Sequence, residues 1–385
     1  MKIKQNCRKR IKVFIESFAC ASNIADTNRV RSYFDINGNQ IVDDPGTADL
    51  IILMSCGFNQ IIKKQHFKRM DVLQGLSKKE AIIMMGGCIS KIDKDYAGYL
   101  NKKGIYTFGP REIEMLDNMF GYKHKIRDIS PVFKEQDSKV IRISTGCKGK
   151  CTYCAIKFAN GSTLSRSVED IKKDIIKGMS EGFSKFKFTS EDTGAWGQDI
   201  RSNIVNLLNE IAAMDGDFIL TLSTIHPKWF LKYPKQLIEA LKSKKISKNI
   251  YLPLQSGSNR ILKLMGREYT KEQYDTIYNL IKHEIPEIKI QSDILVGFPS
   301  ETEEDFRKSF DAVISKDLYF LQVFAYTDME GTMSEKIEPK VNMKIAHNRV
   351  RKLINAFLDS KSECVGKRML VNTNIESLEQ NKMEV

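Results

Sequence analysis

The chain has 385 residues, 42% of them hydrophobic, with 61 Lys and Arg against 48 Asp and Glu for a formal net charge of +13. That length predicts two or three domains with room for buried cores, and no apolar run is long enough to span a membrane. The basic stretch from Met1 to Arg10 lacks the apolar segment and cleavage site of a secretory signal, so a cytoplasmic location with no membrane partner is expected.

In that reducing setting the eight cysteines are expected to be mostly metal ligands rather than disulfides. The positive charge invites a polyanionic partner such as a nucleic acid, because Lys and Arg neutralise phosphates and release counterions. Lysines are nevertheless spread along the chain, so a solvated surface competes with that reading.

In chain order, Val13–Ser17, Leu50–Met54, Ile82–Met85 and Ile105–Phe108 read as short buried parallel strands with amphipathic helices between them, an open α/β domain. Cys20, Cys56 and Cys88 each follow one of the first three strands. In open α/β sheets sites form beyond the carboxyl ends of the strands, so the three thiols are expected to converge there. The alternative for each one singly is a small buried hydrophobe.

The pattern restarts near Phe133. Strands are expected at Lys139–Ser144, Lys185–Thr189, Phe218–Leu222, Asn249–Leu252, Lys289–Leu295 and Tyr319–Phe324, with helices at Val168–Gly182, Thr270–Ile285 and Thr302–Ser315. This βα alternation predicts a full or partial (βα) barrel whose active residues lie at the strand carboxyl ends. Asn342–Ser360 reads as a basic amphipathic helix, in which Lys344, Arg349, Arg351 and Lys352 fall on or near one face.

The first barrel strand leads into Thr145-Gly-Cys-Lys-Gly-Lys-Cys-Thr-Tyr-Cys154. Three thiolates spaced CxxxCxxC leave one iron of a 4Fe-4S cubane without a protein ligand, and an open position is where chemistry happens. A structural zinc site is the competing reading, but no His or Cys follows at a zinc-finger spacing.

With an aromatic residue before its last cysteine, the loop resembles the radical S-adenosylmethionine (SAM) enzymes. Joined to Cys20, Cys56 and Cys88 and to Phe108–Pro110, Pro253–Gly257, Met265–Thr270 and Asp293–Thr302, it is similar to the radical SAM methylthiotransferases. The resemblance runs from about Lys12 to Ser360. It implies 1–125 as an amino-terminal domain with an auxiliary cluster on Cys20, Cys56 and Cys88, a linker at 126–138, and a radical SAM barrel at 139–345 with a cluster on Cys147, Cys151 and Cys154. A terminal helix and short tail at 346–385 are expected where the family usually carries a TRAM barrel.

The implied cofactors are two 4Fe-4S clusters and SAM, fed by an electron donor such as flavodoxin or ferredoxin. One SAM would be reductively cleaved to abstract hydrogen from a C–H bond, and a second would methylate sulfur carried by the auxiliary cluster. Tyr153, Glu191, Asp192, Ser223, Gln255 and Asp293 are the candidate SAM or substrate contacts. The competing reading of Glu191 and Asp192 is a helix cap, and Gly257 is expected to admit a close backbone approach. Ser190–Gly197 is most like the tRNA threonylcarbamoyladenosine enzymes, whereas Met265–Arg267 and Met329–Gly331 resemble the ribosomal-protein aspartate enzymes. The expected substrate is therefore a tRNA adenosine beside the anticodon, with a protein or peptide side chain as the alternative and a non-catalytic iron-sulfur RNA-binding protein as the contrast. Ala19, where the family usually has Gly, and Met329–Thr332 depart from the pattern.

Overall fold

The computed structural model describes residues 10–18, 20–361 and 371–373. Cys7, Ala19 and Cys364 lie outside the described residues. The fold divides into two compact units, one of residues 1–147, 155–191 and 198–200, the other of 148–154, 192–197 and 201–385.

The first unit is built on five parallel strands: β1 (Lys12–Ser17), β2 (Gln40–Val42), β3 (Leu50–Ser55), β4 (Ile82–Gly87) and β5 (Tyr106–Phe108). Their order is β2-β1-β3-β4-β5. Because the strand period is two, each strand feeds both faces of the sheet. Val13, Ile15, Leu50, Ile52 and Met84 pack with Val30, Tyr33 and Phe34 of α1 (Ala21–Ile36), while Phe14, Ile51, Leu53 and Met85 pack with Met70 and Leu73 of α2 (Gln60–Leu76). Helices α3 (Ile89–Ile92), α4 (Lys94–Lys102) and α5 (Met115–Phe120) complete this part of the unit. The chain reverses direction across the sheet between β1 and β3, and the crevice beyond the carboxyl ends there is where open α/β sheets place their sites.

The stretch expected as a linker carries β6 (Val132–Glu135), which pairs antiparallel with β7 (Ser138–Arg142). After the short strand β8 (Ser144–Thr145) come the cysteine loop, α6 (Ile156–Asn160) and β9 (Leu164–Ser165), which pairs with β8. Then α7 (Val168–Ser180) is capped by Ser167 and leads to β10 (Lys185–Thr189), parallel to β7.

The second unit begins its regular strands with β11 (Ile219–Leu222) and continues with the parallel sheet β12 (Asn249–Tyr251), β13 (Lys289–Val296), β14 (Phe320–Ala325) and β15 (Val371–Thr373). Burial alternates along β13, with Ile290, Ser292, Ile294 and Val296 buried and Gln291, Asp293 and Leu295 half-buried on the other face. Its helices include α8 (Ile204–Ala212), α9 (Lys228–Lys232), α10 (Pro234–Lys242), α11 (Asn259–Leu264), α12 (Lys271–Glu284), α13 (Glu303–Ile314) and α14 (Met343–Asp359). Thr270 with Gln273, and Thr302 with Asp305, form capping boxes that satisfy the first amides of α12 and α13.

Candidate functional site

Cys20 stands at the amino end of α1, directly after β1; Cys56 follows β3, and Cys88 follows β4. The sheet therefore delivers all three to the carboxyl edge of its central strands. The thiols meet there: Cys56 hydrogen-bonds Cys20 and holds it down to about 7, while that same bond and burial push Cys56 up. Burial also pushes Cys88 up, with Cys20 adding to the effect.

The surrounding groups fix this arrangement. Asn23 accepts from the Ser17 hydroxyl at 2.8 Å and donates to the Ser55 carbonyl at 3.0 Å, tying the ends of β1 and β3 together. His66 Nε2 accepts from the Cys56 amide at 3.4 Å, and Nδ1 lies 2.8 Å from the Ile62 carbonyl, which requires the neutral Nδ1–H tautomer. Asn160 lies 3.9 Å from the Cys88 sulfur. None of Cys20, Cys56 and Cys88 is in a disulfide.

Within the same unit, Arg142 is buried between two carboxylates. It pairs with Asp26 of α1 and with Glu191 at 2.8 Å, and the second Glu191 oxygen accepts the Gly146 amide at 2.7 Å. Burial alone would lower the Arg142 pKa, but Asp26 and Glu191 raise it and keep the charge on. Glu191 thus anchors the backbone immediately before Cys147 and caps no helix. The Cys147 amide donates to Gly161 at 3.1 Å.

The remainder of the cysteine loop, 148–154, belongs to the second unit. Thr152 donates its amide to Met265 at 3.0 Å and its hydroxyl to Leu264 at 2.7 Å. Tyr153 packs with Phe298 and lies near the Arg267 guanidinium; burial, then Cys151, pushes its phenol well above the usual range. Asp192 accepts from the Trp229 indole at 2.7 Å and the His226 amide at 3.2 Å, so its oxygens also serve protein donors rather than a helix cap. Ser223 is half-buried just past β11. Gln255 has φ +70° and exchanges backbone hydrogen bonds with Asp293 and Leu295 at 2.8 and 2.9 Å. Gly257 does sit against backbone, that of Lys308 in α13, and the buried Ser256 hydroxyl lies 3.2 Å from Ser309.

Asp293 lies on the half-buried face of β13, where burial pushes its carboxyl up to about 7. The Tyr251 hydroxyl contacts it and also lies 2.7 Å from Gln322. Tyr251 has one proton for two acceptor oxygens, a conflict resolved when Asp293 itself carries a proton.

One expectation fails. Arg349 does not belong to an exposed basic face on α14: it is buried and pairs with Glu301 at 2.7 Å and Glu303 at 3.2 Å. Its position on the helix points inward with Val350 and Leu353, and only the buried carboxylate makes a cation tolerable there. Lys344, Arg351 and Lys352 are exposed.

Sequence reasoning passed over Arg142, His66, Asn160, Tyr251 and Gln322. Arg142 left a trace as a cation directly after the apolar pair Val140 and Ile141. The others are polar residues whose partners are far away in sequence.

Among the described residues no three His, Cys, Asp or Glu side chains close on a single metal ion. A cubane's thiolates sit at the corners of a larger body than one ion, and a convergent all-sulfur donor set is the chemistry that such a cluster requires. The donor set of Cys20, Cys56 and Cys88 fits it.

Residues 141–313 match the radical SAM superfamily, and 12–106 match the uncharacterized protein family UPF0004. The chain is 29% identical over 342 residues to the probable threonylcarbamoyladenosine tRNA methylthiotransferase of Pyrococcus horikoshii, covering 85% of this chain and 79% of that one. It is 30% identical over 376 residues to the tRNA-2-methylthio-N(6)-dimethylallyladenosine synthase of Thermodesulfovibrio yellowstonii, covering 93% and 85%. The radical S-adenosylmethionine methyltransferase TsrM of Kitasatospora setae shares the fold, with a TM-score of 0.62 and 13% identity over 85% of this chain and 77% of that one. The chain belongs to the radical SAM methylthiotransferase family, whose members use SAM and a 4Fe-4S cluster. No described helix is long and apolar enough to cross a membrane.

Proposed function

We propose that this enzyme converts a C–H bond of a tRNA adenosine next to the anticodon into C–SCH3, with the threonylcarbamoyl-modified base as substrate. The observation that carries this is the likeness, over most of the chain, to relatives named as tRNA methylthiotransferases. The threonylcarbamoyl form is favoured by the Ser190–Gly197 run together with the names of several of those relatives.

In this reading Cys147, Cys151 and Cys154 hold the cluster that binds SAM, and Cys20, Cys56 and Cys88 hold a second one. When bound, these groups supply a 5'-deoxyadenosyl radical and a sulfur to be methylated. The protein's share is orientation. Arg142 and Glu191 fix the backbone entering Cys147, and Asp192 fixes the segment beside His226 and Trp229. Tyr153, Ser223, Gln255 and Asp293 are left to meet SAM or the base. Asp293, protonated, would give its proton to the Tyr251 oxygen and leave its carbonyl oxygen as an acceptor. Exposed Lys344, Arg351 and Lys352 are available to phosphates, and an external one-electron donor of the flavodoxin or ferredoxin kind completes the system.

The test is anaerobic reconstitution with SAM, a reductant and tRNA from a strain lacking this gene, followed by mass spectrometry of nucleosides. The expected product is the 2-methylthio derivative of threonylcarbamoyladenosine. A methylthio group on dimethylallyladenosine alone would move the base assignment. No modified nucleoside, despite release of 5'-deoxyadenosine, would overturn the tRNA reading.

A further inference from the structure

The turn after α11 touches the cysteine loop from Lys150 to Tyr153. Gly266 has φ +69°, in the left-handed region, and a side chain there would run into the Lys150 carbonyl group, whose carbon would lie 3.2 Å from the added Cβ. Met265 and Leu264 accept from Thr152, as described above. Arg267, next in the chain, is thereby aimed at the loop's middle cysteine, with its own amide bonded to Leu262 at 2.9 Å.

The guanidinium is held in one orientation by three sets of partners. Nε donates to the Tyr269 hydroxyl at 3.0 Å, one terminal nitrogen donates to the Pro253 carbonyl at 3.2 Å, and the other lies 3.3 Å from the Cys151 sulfur and 3.5 Å from the Tyr153 hydroxyl. Tyr269 is itself fixed by the carbonyls of Pro253 and Leu254, at 2.9 and 2.8 Å. Among the described residues no carboxylate forms an ion pair with Arg267, although its charge is permanent and the residue is half-buried. The anion that answers this charge is the Cys151 sulfur, once it is a thiolate bound to iron.

We infer that Arg267 is a positioning residue that holds the Cys151 thiolate by a charge-assisted N–H···S hydrogen bond and so sets the reduction potential of the cluster on the loop. The inference rests on the reading of Cys147, Cys151 and Cys154 as cluster ligands. Reduction adds negative charge to the cluster and its sulfurs, so a fixed cation and N–H donor at one sulfur favour the reduced form and raise the potential. Gly266 and Thr152 set the distance, and the Tyr269 and Pro253 contacts keep the fork from turning toward solvent.

The test is an EPR-monitored redox titration of the full chain, comparing wild type with R267Q and R267K. The signal belonging to the loop is the one lost in a Cys151→Ala control. R267Q should shift that midpoint to more negative potential by at least tenfold in the reduction equilibrium, about 59 mV for a one-electron couple. R267K, which keeps the charge but not the fork, should shift it less. An unchanged midpoint in a loaded R267Q overturns the inference. So does failure of both variants to hold the loop cluster while their fold, read by circular dichroism, is intact, since that would make Arg267 purely structural. If the wild-type signal survives Cys151→Ala, the reading of the loop as a cluster site fails instead.

Discussion

The two cysteine sets are assembled in opposite ways. Cys147, Cys151 and Cys154 lie within eight residues of one another, so their spacing is a property of one loop. Cys20, Cys56 and Cys88 are separated by more than thirty residues at each step and meet because β1, β3 and β4 are adjacent and parallel. The first set needs a turn and a cradle, whereas the second needs a folded domain. Local geometry can be kept by a few hydrogen bonds, of the kind Thr152 makes to Leu264 and Met265. The dispersed set has to be held by the whole sheet, by the Asn23 tie between strand ends and by the Arg142 ion cluster that fixes α1.

Removing thiols from each set should give the largest difference between them. Cys147→Ala is expected to abolish SAM cleavage, with 5'-deoxyadenosine falling to background. Cys56→Ala should leave its release largely intact but stop methylthio transfer, because in the proposed function radical formation needs only the loop set. Chromatography of both products from each variant checks this, and normal methylthio product from Cys56→Ala would dissolve the division of labour.

A milder contrast substitutes glycine beside each set. Gly87, the last residue of β4, has φ +93°, and an added Cβ there would come within 2.9 Å of both the Asn23 side-chain nitrogen and the Ser55 amide nitrogen. Gly146 has φ +89°, and its Cβ would come within 2.7 Å of the Asn160 carbonyl oxygen. Each Ala variant should lose on the order of 1–3 kcal/mol through backbone strain alone. The consequences should differ in place. Gly87→Ala should lose the iron on Cys20, Cys56 and Cys88 and keep the SAM-responsive cluster, while Gly146→Ala should do the reverse. Iron analysis with Mössbauer spectroscopy reads both, and equal loss from both sites in either variant would show that the sets do not assemble independently.

The same contrast explains what could be read from the chain. Apolar runs disclosed β1, β3, β4 and β5 because buried parallel strands are nearly continuous hydrophobic segments. Gln40–Val42 escaped notice, being three residues with no such run, and with it went the strand order that puts the crevice between β1 and β3. The loop motif was legible because its information is local. Arg142 was not read as part of the site because its partners, Asp26 and Glu191, are 116 and 49 residues away. Arg349 was misplaced for the converse reason: periodicity counts a cation as surface unless the buried carboxylate opposite it is known.

The smallest expected effect concerns Asp293, which belongs to the second unit and to neither cysteine set. Its pKa in the folded chain is pushed up to about 7 by burial, with Tyr251 and Arg267 opposing the rise, against roughly 3.9 for an unperturbed carboxyl. A raised carboxyl pKa contributes stability that is fully present below the unfolded value and is lost as pH climbs through the folded one. Asn at this position keeps a donor toward the Tyr251 oxygen and lets Tyr251 donate to Gln322, as protonated Asp293 does. Asp293→Asn should therefore match wild type near pH 4 and become the more stable chain by pH 8. Allowing for the partial exposure of the residue, the gain is on the order of 1–2 kcal/mol. Thermal melts across this range measure it, and a stability difference that stays flat with pH would mean that Asp293 is ionised throughout. The iron on Cys20, Cys56 and Cys88 should be retained at every pH in this variant to the same extent as in wild type, because the groups that gather those thiols all lie in the first unit.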